Sequence, residues 1–218
     1  MPPCCRSTVL CYGDSNTHGR RAMRGVDDVS RFRSHIRWPG RVSAALKPKV
    51  RVLCEGLPGR TTVHDDPIEG DHKNGLRVLP AMLESHWPVD VVVLMLGTND
   101  LKTRFAVTSA DIARSIERLL AVIAAARGPR DGTAPAVLLI APPPIIETGW
   151  LAGHFAGGAD ISQDLGRRYA EVAARWGCAF LDAAGVAAVD PLDGVHLTEA
   201  GHDALGAAVA ATLRGMLG

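Results

Sequence analysis

Short apolar segments alternate along the chain with longer amphipathic segments. The short ones are rich in β-branched residues and almost continuously apolar, which is typical of parallel strands that are buried on both faces. They predict five strands, at residues 7–12, 50–54, 89–96, 136–141 and 178–181. The amphipathic segments predict five helices, at residues 39–46, 75–86, 109–127, 160–176 and 198–217.

The third predicted helix has the clearest pattern, because Ile112, Ile116, Leu119 and Ile123 recur at helical spacing. Strands and helices alternate without an internal repeat, which predicts an α/β fold in which helices cover both faces of one doubly wound parallel sheet. A chain of 218 residues is long enough to bury a substantial core. We therefore expect residues 1–218 to form one domain.

The composition excludes several classes of partner. Hydrophobic residues make up 47% of the chain, yet no apolar run approaches the roughly 20 residues that a membrane span needs. The net charge of +1 gives no general attraction to nucleic acid or to an anionic membrane, so we expect neither as a partner. The N-terminal segment lacks the apolar stretch of a secretory signal, and the five cysteines lack the spacing of a disulfide framework. Both observations predict a cytoplasmic protein.

Four polar segments lie after predicted strands. Residues 13–15 (Gly-Asp-Ser) follow the first strand, Gly59 follows the second, and residues 97–100 (Gly-Thr-Asn-Asp) follow the third. Residues 193–196 (Asp-Gly-Val-His) lie between the fifth strand and the last helix. Ligands of doubly wound sheets bind beyond the carboxyl ends of the strands, so we expect the four segments to meet at one site.

Ser15, His196 and Asp193 supply the groups of a nucleophilic mechanism. An unassisted serine hydroxyl is a poor nucleophile at neutral pH, so Ser15 needs a base, and His196 is the natural candidate. The carboxylate of Asp193, three residues earlier, would fix the imidazole tautomer, with Asp190 as an alternative. Each residue also has a simpler interpretation: Ser15 as a helix N-cap, and His196 as a solvated histidine after an Asp-Gly turn.

Three hydrogen-bond donors of the same segments suit the oxyanion of a tetrahedral intermediate. They are the backbone N–H of Ser15, the backbone N–H of Gly59 and the side-chain amide of Asn99. A ligand can approach Gly59 closely because glycine has no Cβ. The simpler interpretation of residues 97–100 is a turn that ends a strand. Taken together, the segments predict acyl transfer by a serine nucleophile.

Other polar segments form no recognisable site. The His- and Asp-rich segment at residues 64–72 matches no familiar metal-ligand spacing, and no phosphate-binding glycine loop is present, so we expect neither a metal nor a cofactor. The connections at residues 19–38 and 142–158 should lie at the rim of the site. The first is rich in arginine, which suits a solvated or subunit-contacting loop better than an anion site.

The four polar segments resemble the sequence blocks of the SGNH (GDSL) hydrolases. Residues 12–15 (Tyr-Gly-Asp-Ser), Gly59, residues 97–100 and residues 193–196 occur in the order of that family. Residues 55–62 (Glu-Gly-Leu-Pro-Gly-Arg-Thr-Thr) are similar to its bacterial arylesterase/acyltransferase branch, which includes the mycobacterial perhydrolase-type enzyme. The resemblance extends over nearly the whole chain.

The resemblance implies a flavodoxin-like, three-layer α/β/α fold with a five-stranded parallel sheet. It implies Ser15 as the nucleophile, Asp193 and His196 as the rest of a catalytic triad, and Gly59 and Asn99 as oxyanion donors. It also implies a homo-oligomer that needs no cofactor. Members of the branch cleave small esters, and some transfer the acyl group to alcohols or hydrogen peroxide.

Three hypotheses about function follow. The first is a serine esterase of small aryl and alkyl esters with short acyl chains, which acts through an acyl-enzyme. The second is a carbohydrate O-acetylesterase with the same triad. The third is an inactive flavodoxin-like binding module, which is disfavoured because a lapsed site should have lost one of Ser15, Asn99, Asp193 or His196. Asn16 departs from the leucine of the family name, at a position that is not catalytic.

Overall fold

The computed structural model describes residues 6–128 and 132–218 and has a parallel sheet at its centre. The strands are β1 (Ser7–Gly13), β2 (Val50–Gly56), β3 (Val91–Met95), β4 (Ala136–Ala141) and β5 (Ala179–Asp182). Their order is β2-β1-β3-β4-β5, with every neighbouring pair parallel. This is the flavodoxin-like order of a doubly wound sheet, so the predicted α/β fold is confirmed.

Helices connect the strands. They are α1 (Ser15–His18), α2 (Trp38–Leu46), α3 (Gly75–Ser85), α4 (Ser109–Ala125), α5 (Gly158–Gln163), α6 (Leu165–Trp176) and α7 (Glu199–Leu217). The start of α4 is fixed by a capping box, in which the Thr108 side chain accepts from the Asp111 N–H and the Asp111 carboxylate accepts from the Thr108 N–H. Within the described ranges, no helix is long and apolar enough to cross a membrane.

The sheet separates two hydrophobic cores. Alternate side chains of β1 point to opposite faces, so that Leu10 and Tyr12 enter one core while Val9 and Cys11 enter the other. Helices α3, α4 and α6 cover the first face, and α2 and α7 pack together over the second. The inner strands β1 and β3 are buried on both faces, which explains why they are continuously apolar in the sequence, whereas the edge strands β2 and β5 are only partly buried.

Helix α1 lies directly against the carboxyl ends of two strands. Gly13 of β1 and Gly56 of β2 are paired in the sheet. A Cβ at Gly13 would collide with the Thr17 side chain, and a Cβ at Gly56 would collide with the backbone of His18. The two glycines therefore allow the first turn after β1 to rest on the sheet edge without a gap.

Two helical features differ from the sequence prediction. Helix α1 has no counterpart among the predicted helices, because four residues are too few to show a helical period. The helix predicted at residues 160–176 is two helices, α5 and α6, that meet at Asp164. The Asp164 carboxylate at this junction accepts from Ser109 Oγ and Arg168 Nε, each at 2.8 Å.

The N-terminal segment, on which the prediction of a cytoplasmic location partly rests, begins outside the described residues. Residues 1–5 precede the first described position, Arg6. The structure therefore does not test the part of that prediction that depends on the N-terminal segment. Of the cysteines that it does describe, Cys11, Cys54 and Cys178 are free thiols.

The core on the α4 side should be sensitive to loss of volume. Leu119 of α4 is fully buried in that core, while Arg118 beside it is exposed. We expect Leu119→Ala to lower the free energy of unfolding by about 3 kcal/mol, because it removes buried apolar surface and leaves a cavity. Arg118→Ala, the matched control, should change it by less than about 0.5 kcal/mol. Urea unfolding of the two variants and the wild type measures both values, and equal effects would contradict the assignment of this core.

Candidate active site

A cavity of about 470 Å³ lies at the carboxyl edge of the sheet and collects four of the predicted site residues. Ser15 from the end of β1, Gly59 from the β2 connection, Asn99 from the β3 connection and His196 all line it. The fifth, Asp193, lies behind His196 and is fully buried. The structure thus brings together segments that are up to about 180 residues apart in the sequence.

Ser15 is the first residue of α1, and it is not the residue that caps the helix. The N-cap is Asp14, whose Oδ1 accepts from the Asn16 N–H at 2.9 Å. The simpler interpretation of Ser15 as a cap is therefore wrong. Its backbone N–H opens the helix, where the N–H groups have no intrahelical acceptor and carry partial positive charge.

The predicted oxyanion donors are held in place by Arg60. Arg60 Nη1 donates to the Gly13 carbonyl at 2.9 Å, and its guanidinium stacks 4.2 Å from the centre of the Tyr12 ring. Asn99 Nδ2 donates one hydrogen to the Arg60 carbonyl at 3.1 Å, which leaves the second for the cavity. Gly59 has a φ of +81°, a conformation that favours glycine. Within residues 6–128 and 132–218, the Gly59 N–H donates to no protein acceptor.

Asp193 holds the imidazole of His196 through a short hydrogen bond, with 2.6 Å between Asp193 Oδ2 and His196 Nδ1. Asp193 Oδ1 accepts from the N–H groups of Val195 and His196, each at 3.0 Å. Burial by itself raises the pKa of this carboxyl, but the bonds from His196 and the N–H groups outweigh burial and hold the pKa below its ordinary value. Asp193 is therefore ionised at neutral pH.

The carboxylate of Asp190, the alternative partner of the His196 imidazole, does not contact that ring. It accepts instead from the Leu192 N–H at 3.0 Å. Of the two aspartates that the sequence offered as partners of His196, Asp193 is therefore the one that contacts the imidazole. No hydrogen bond joins Ser15 Oγ to His196 within the described ranges; the two side chains meet only as neighbours on the cavity wall.

Asn16 connects the helix of Ser15 to the loop of His196. Its Nδ2 donates to the Val195 carbonyl at 3.1 Å, and its Oδ1 accepts from the Leu197 N–H at 2.9 Å. These two groups flank His196 in the chain, and Asn16 follows Ser15 directly. A buried amide thus fixes the backbone on both sides of His196 relative to Ser15, in a role that a leucine could not fill.

The arginine-rich connection at residues 19–38 contributes a backbone donor. The N–H of Met23 donates to Asp193 Oδ2 at 2.8 Å, so the same oxygen binds both Met23 and His196. Sequence reasoning missed Met23, because a backbone N–H can come from any residue type. It also missed Arg60 and Asn16, whose side chains are buried and polar rather than solvated.

Two carboxyl groups are buried under the cavity. Burial raises the pKa of Asp14 to about 6, although its bond from Asn16 acts in the opposite direction. Burial also raises the pKa of Asp100 to about 7, although the Thr62 hydroxyl and N–H donate to it. Both groups thus hold protons at a higher pH in the folded protein than in the unfolded chain.

The His- and Asp-rich segment forms ion pairs and not a ligand cluster. Asp66 Oδ2 lies 2.7 Å from Arg104 Nη2, and Asp65 accepts from Asn74 Nδ2 at 2.8 Å. His64 stacks on Phe105, with 5.2 Å between ring centres. In the part of the chain that the structure describes, no group of three or more His, Cys, Asp or Glu side chains could hold a metal ion.

An imidazole held by a buried carboxylate beside a serine is the arrangement of hydrolases that form covalent acyl intermediates. On a flavodoxin-like sheet, this arrangement indicates a hydrolase with a serine nucleophile. The comparison with known proteins identifies the family of hydrolases. The profile of the GDSL-like Lipase/Acylhydrolase family matches residues 11–204. The chain therefore belongs to this family, the SGNH hydrolases, and is a carboxylic-ester hydrolase.

Solved structures of the family are similar to this chain over nearly its whole length. The aryl esterase of M. smegmatis is 36% identical and has a TM-score of 0.90, with 96% of this chain and 99% of that one covered. Est24, a carbohydrate acetylesterase from Sinorhizobium meliloti, is 34% identical and has a TM-score of 0.92, with 97% and 100% covered. Among curated protein sequences, none matches.

The raised pKa of Asp100 predicts a pH dependence of stability. Its folded-state pKa of about 7 lies above the unfolded value of 3.8. The contribution of protonated Asp100 to the free energy of unfolding is therefore fully present below about pH 4 and is lost as the pH rises to about 7. Between these pH values the free energy of unfolding of the wild type should fall by roughly 2–4 kcal/mol more than that of Asp100→Asn. Urea unfolding from pH 4 to pH 8 measures it, with the exposed Asp160→Asn as control. Asp160→Asn should follow the wild type at every pH. If the free energy of unfolding of Asp100→Asn also follows the wild type at every pH, the prediction is wrong.

Proposed function

We propose that the protein is a serine esterase that hydrolyses small aryl and alkyl esters with short acyl chains through an acyl-enzyme. The observation that carries the proposal is the pairing of His196 with buried Asp193 on the wall of the cavity that Ser15 also lines. A solvated histidine after a turn would have no need of a buried partner. The whole chain, residues 1–218, acts as one SGNH-hydrolase domain in this proposal.

The mechanism assigns one role to each group. Ser15 Oγ attacks the ester carbonyl while His196 Nε2 takes the hydroxyl proton, and Asp193 stabilises the imidazolium that forms. The developing oxyanion accepts hydrogen bonds from the N–H groups of Ser15 and Gly59 and from Asn99 Nδ2. The leaving alkoxide or phenoxide then receives the proton from His196. Water, activated by the same imidazole, attacks the acyl-enzyme and releases the acid.

Three finer points belong to the proposal. An alcohol or hydrogen peroxide that enters the cavity in place of water would take the acyl group, so acyl transfer accompanies hydrolysis. The arginine-rich connection at residues 19–38 suits contacts between subunits of a homo-oligomer. The free thiols of Cys11, Cys54 and Cys178 suit the reducing cytoplasm.

A second candidate substrate is an O-acetylated sugar. The partly exposed Trp150 lines the cavity, where its ring could stack on a pyranose, and Est24 is a carbohydrate acetylesterase. The mechanism would be unchanged. Rates on acetylated xylose and on phenyl acetate, compared with the same enzyme sample, separate the two candidates.

Replacement of the nucleophile tests the mechanism. We expect Ser15→Ala to lower kcat for p-nitrophenyl acetate by at least about a thousandfold, because no other group can form the acyl-enzyme. Ser43→Ala, on helix α2, is the matched control and should retain the wild-type rate. Wild-type turnover of p-nitrophenyl octanoate should be slower than that of the acetate if the acyl pocket is small. An active Ser15→Ala variant would exclude Ser15 as the nucleophile.

The bridge made by Asn16 gives a second prediction. We expect Asn16→Leu to lower kcat for p-nitrophenyl acetate about 10- to 100-fold with little change in KM, because it releases the backbone around His196 from the helix of Ser15. Thr17→Val is the control, since the buried Thr17 hydroxyl has no partner within the described ranges. A merely structural role would lower the unfolding midpoint of Asn16→Leu and leave kcat of the folded fraction intact, and that result would contradict the prediction.

A further inference from the structure

Three permanently cationic side chains line the cavity of Ser15 and His196: Arg20, Lys102 and Arg104. Two of them are neutralised by a pair of carboxylates. Arg104 Nη2 lies 2.7 Å from Asp66 Oδ2 and 2.6 Å from Glu69 Oε1. Lys102 Nζ pairs with the same Glu69 oxygen and lies 3.7 Å from Asp66. These four charges cancel, so this part of the wall presents no net charge to a ligand.

Arg20 is different, because among the described residues it has no carboxylate partner. Its Nη2 donates to the backbone carbonyl of Asp28 at 3.2 Å, and its Nε is buried without an acceptor. The Asp28 carboxylate is used elsewhere: Oδ1 accepts from Ser30 Oγ at 2.9 Å and Oδ2 from the Arg24 N–H at 3.3 Å. The positive charge of Arg20 therefore remains available to the cavity.

The position of Arg20 is fixed relative to the nucleophile. Its backbone N–H donates to the Ser15 carbonyl at 3.0 Å, at the end of α1. The Asp28 carbonyl accepts one hydrogen bond from Nη2, and a guanidinium has further Nη N–H groups with which it can bind a planar anion. Met23, Trp150 and Phe155 line the same cavity and are apolar, and an apolar wall favours a ligand with an apolar body and strengthens its attraction to the charge.

We propose that the preferred substrates of this enzyme are esters that carry a carboxylate group, and that Arg20 is the residue that binds it. The inference rests on the proposed esterase function and adds a substrate class to it. The planar geometry of a carboxylate matches that of the guanidinium. Its negative charge would neutralise Arg20, as Asp66 and Glu69 neutralise Lys102 and Arg104. Arg20 then determines specificity and takes no part in the chemical step.

The experiment compares charged esters with neutral amides of the same shape. One arm places the charge on the leaving alcohol, with 3- and 4-carboxyphenyl acetate against the carbamoylphenyl acetates. The other places it on the acyl chain, with monophenyl adipate against its primary amide. For each pair, the ratio of kcat/KM for the charged ester to kcat/KM for the neutral one is measured in the wild type, Arg20→Gln, Arg20→Lys and Arg24→Gln. Intrinsic differences in reactivity cancel when the ratio of a variant is divided by that of the wild type.

We expect Arg20→Gln to lower the ratio about tenfold in at least one arm, and that arm identifies the side of the ester that carries the charge. Arg20→Lys should lower it about threefold, because an ammonium keeps the charge but not the paired geometry. Arg24→Gln, an exposed arginine of the same connection that does not line the cavity, should keep the wild-type ratio. Added salt should reduce the ratio in the wild type more than in Arg20→Gln.

The outcomes separate the two proposals. If phenyl acetate is hydrolysed but both Arg20 variants keep the wild-type ratio in both arms, this inference is wrong and the esterase function stands. An equal fall in Arg24→Gln would also overturn it, since the effect would then come from the general charge of the connection. If the wild type hydrolyses no ester, the proposed function fails, and the inference fails with it.

Discussion

The buried carboxylate of Asp193 must be satisfied by hydrogen bonds, and the way in which the chain satisfies it fixes the position of His196. An unpaired charge in such a site would cost several kcal/mol. Four donors offset that cost: three backbone N–H groups and the imidazole Nδ1. One of the N–H groups, that of Met23, belongs to a distant part of the chain. The hydrogen bonds to this one carboxylate thus hold together His196, its turn and the connection that follows α1.

The rest of the site is attached to this centre through buried polar side chains. Asn16 bonds to the backbone on both sides of His196, and Arg60 bonds to the end of β1 and supports Asn99 through its carbonyl. Each bond joins segments that are distant in the sequence, so the strands alone would not fix their relative positions. Side chains that are fixed in this way do not have to be ordered when a substrate binds, and this preorganisation would lower the barrier of the proposed reaction.

The sequence predicts the parts of this structure that follow from local pattern. The inner strands β1 and β3 are recognisable because a parallel sheet covered on both faces makes them continuously apolar, and the place of the site follows from where the strands end. The break at Asp164 is not recognisable, because the amphipathic period continues through it. Met23 leaves no trace in the sequence, since its contribution is a backbone N–H. Asn16 is visible only as a departure from the family name, and its two bonds depend on a loop about 180 residues away.

One of the proposed oxyanion donors, Gly59, lies beside the charges of the cavity wall. A Cβ at this position would collide with the Glu69 carboxylate, and the φ of +81° would add strain. The absence of a side chain therefore leaves room for Glu69, and Glu69 neutralises Lys102 and Arg104. A larger residue would have to shift the Glu69 carboxylate, while Asp66 Oδ2 would remain 2.7 Å from Arg104 Nη2. The room that Gly59 leaves is thus one condition for the balance of charge between Glu69 and the two cations of this part of the wall.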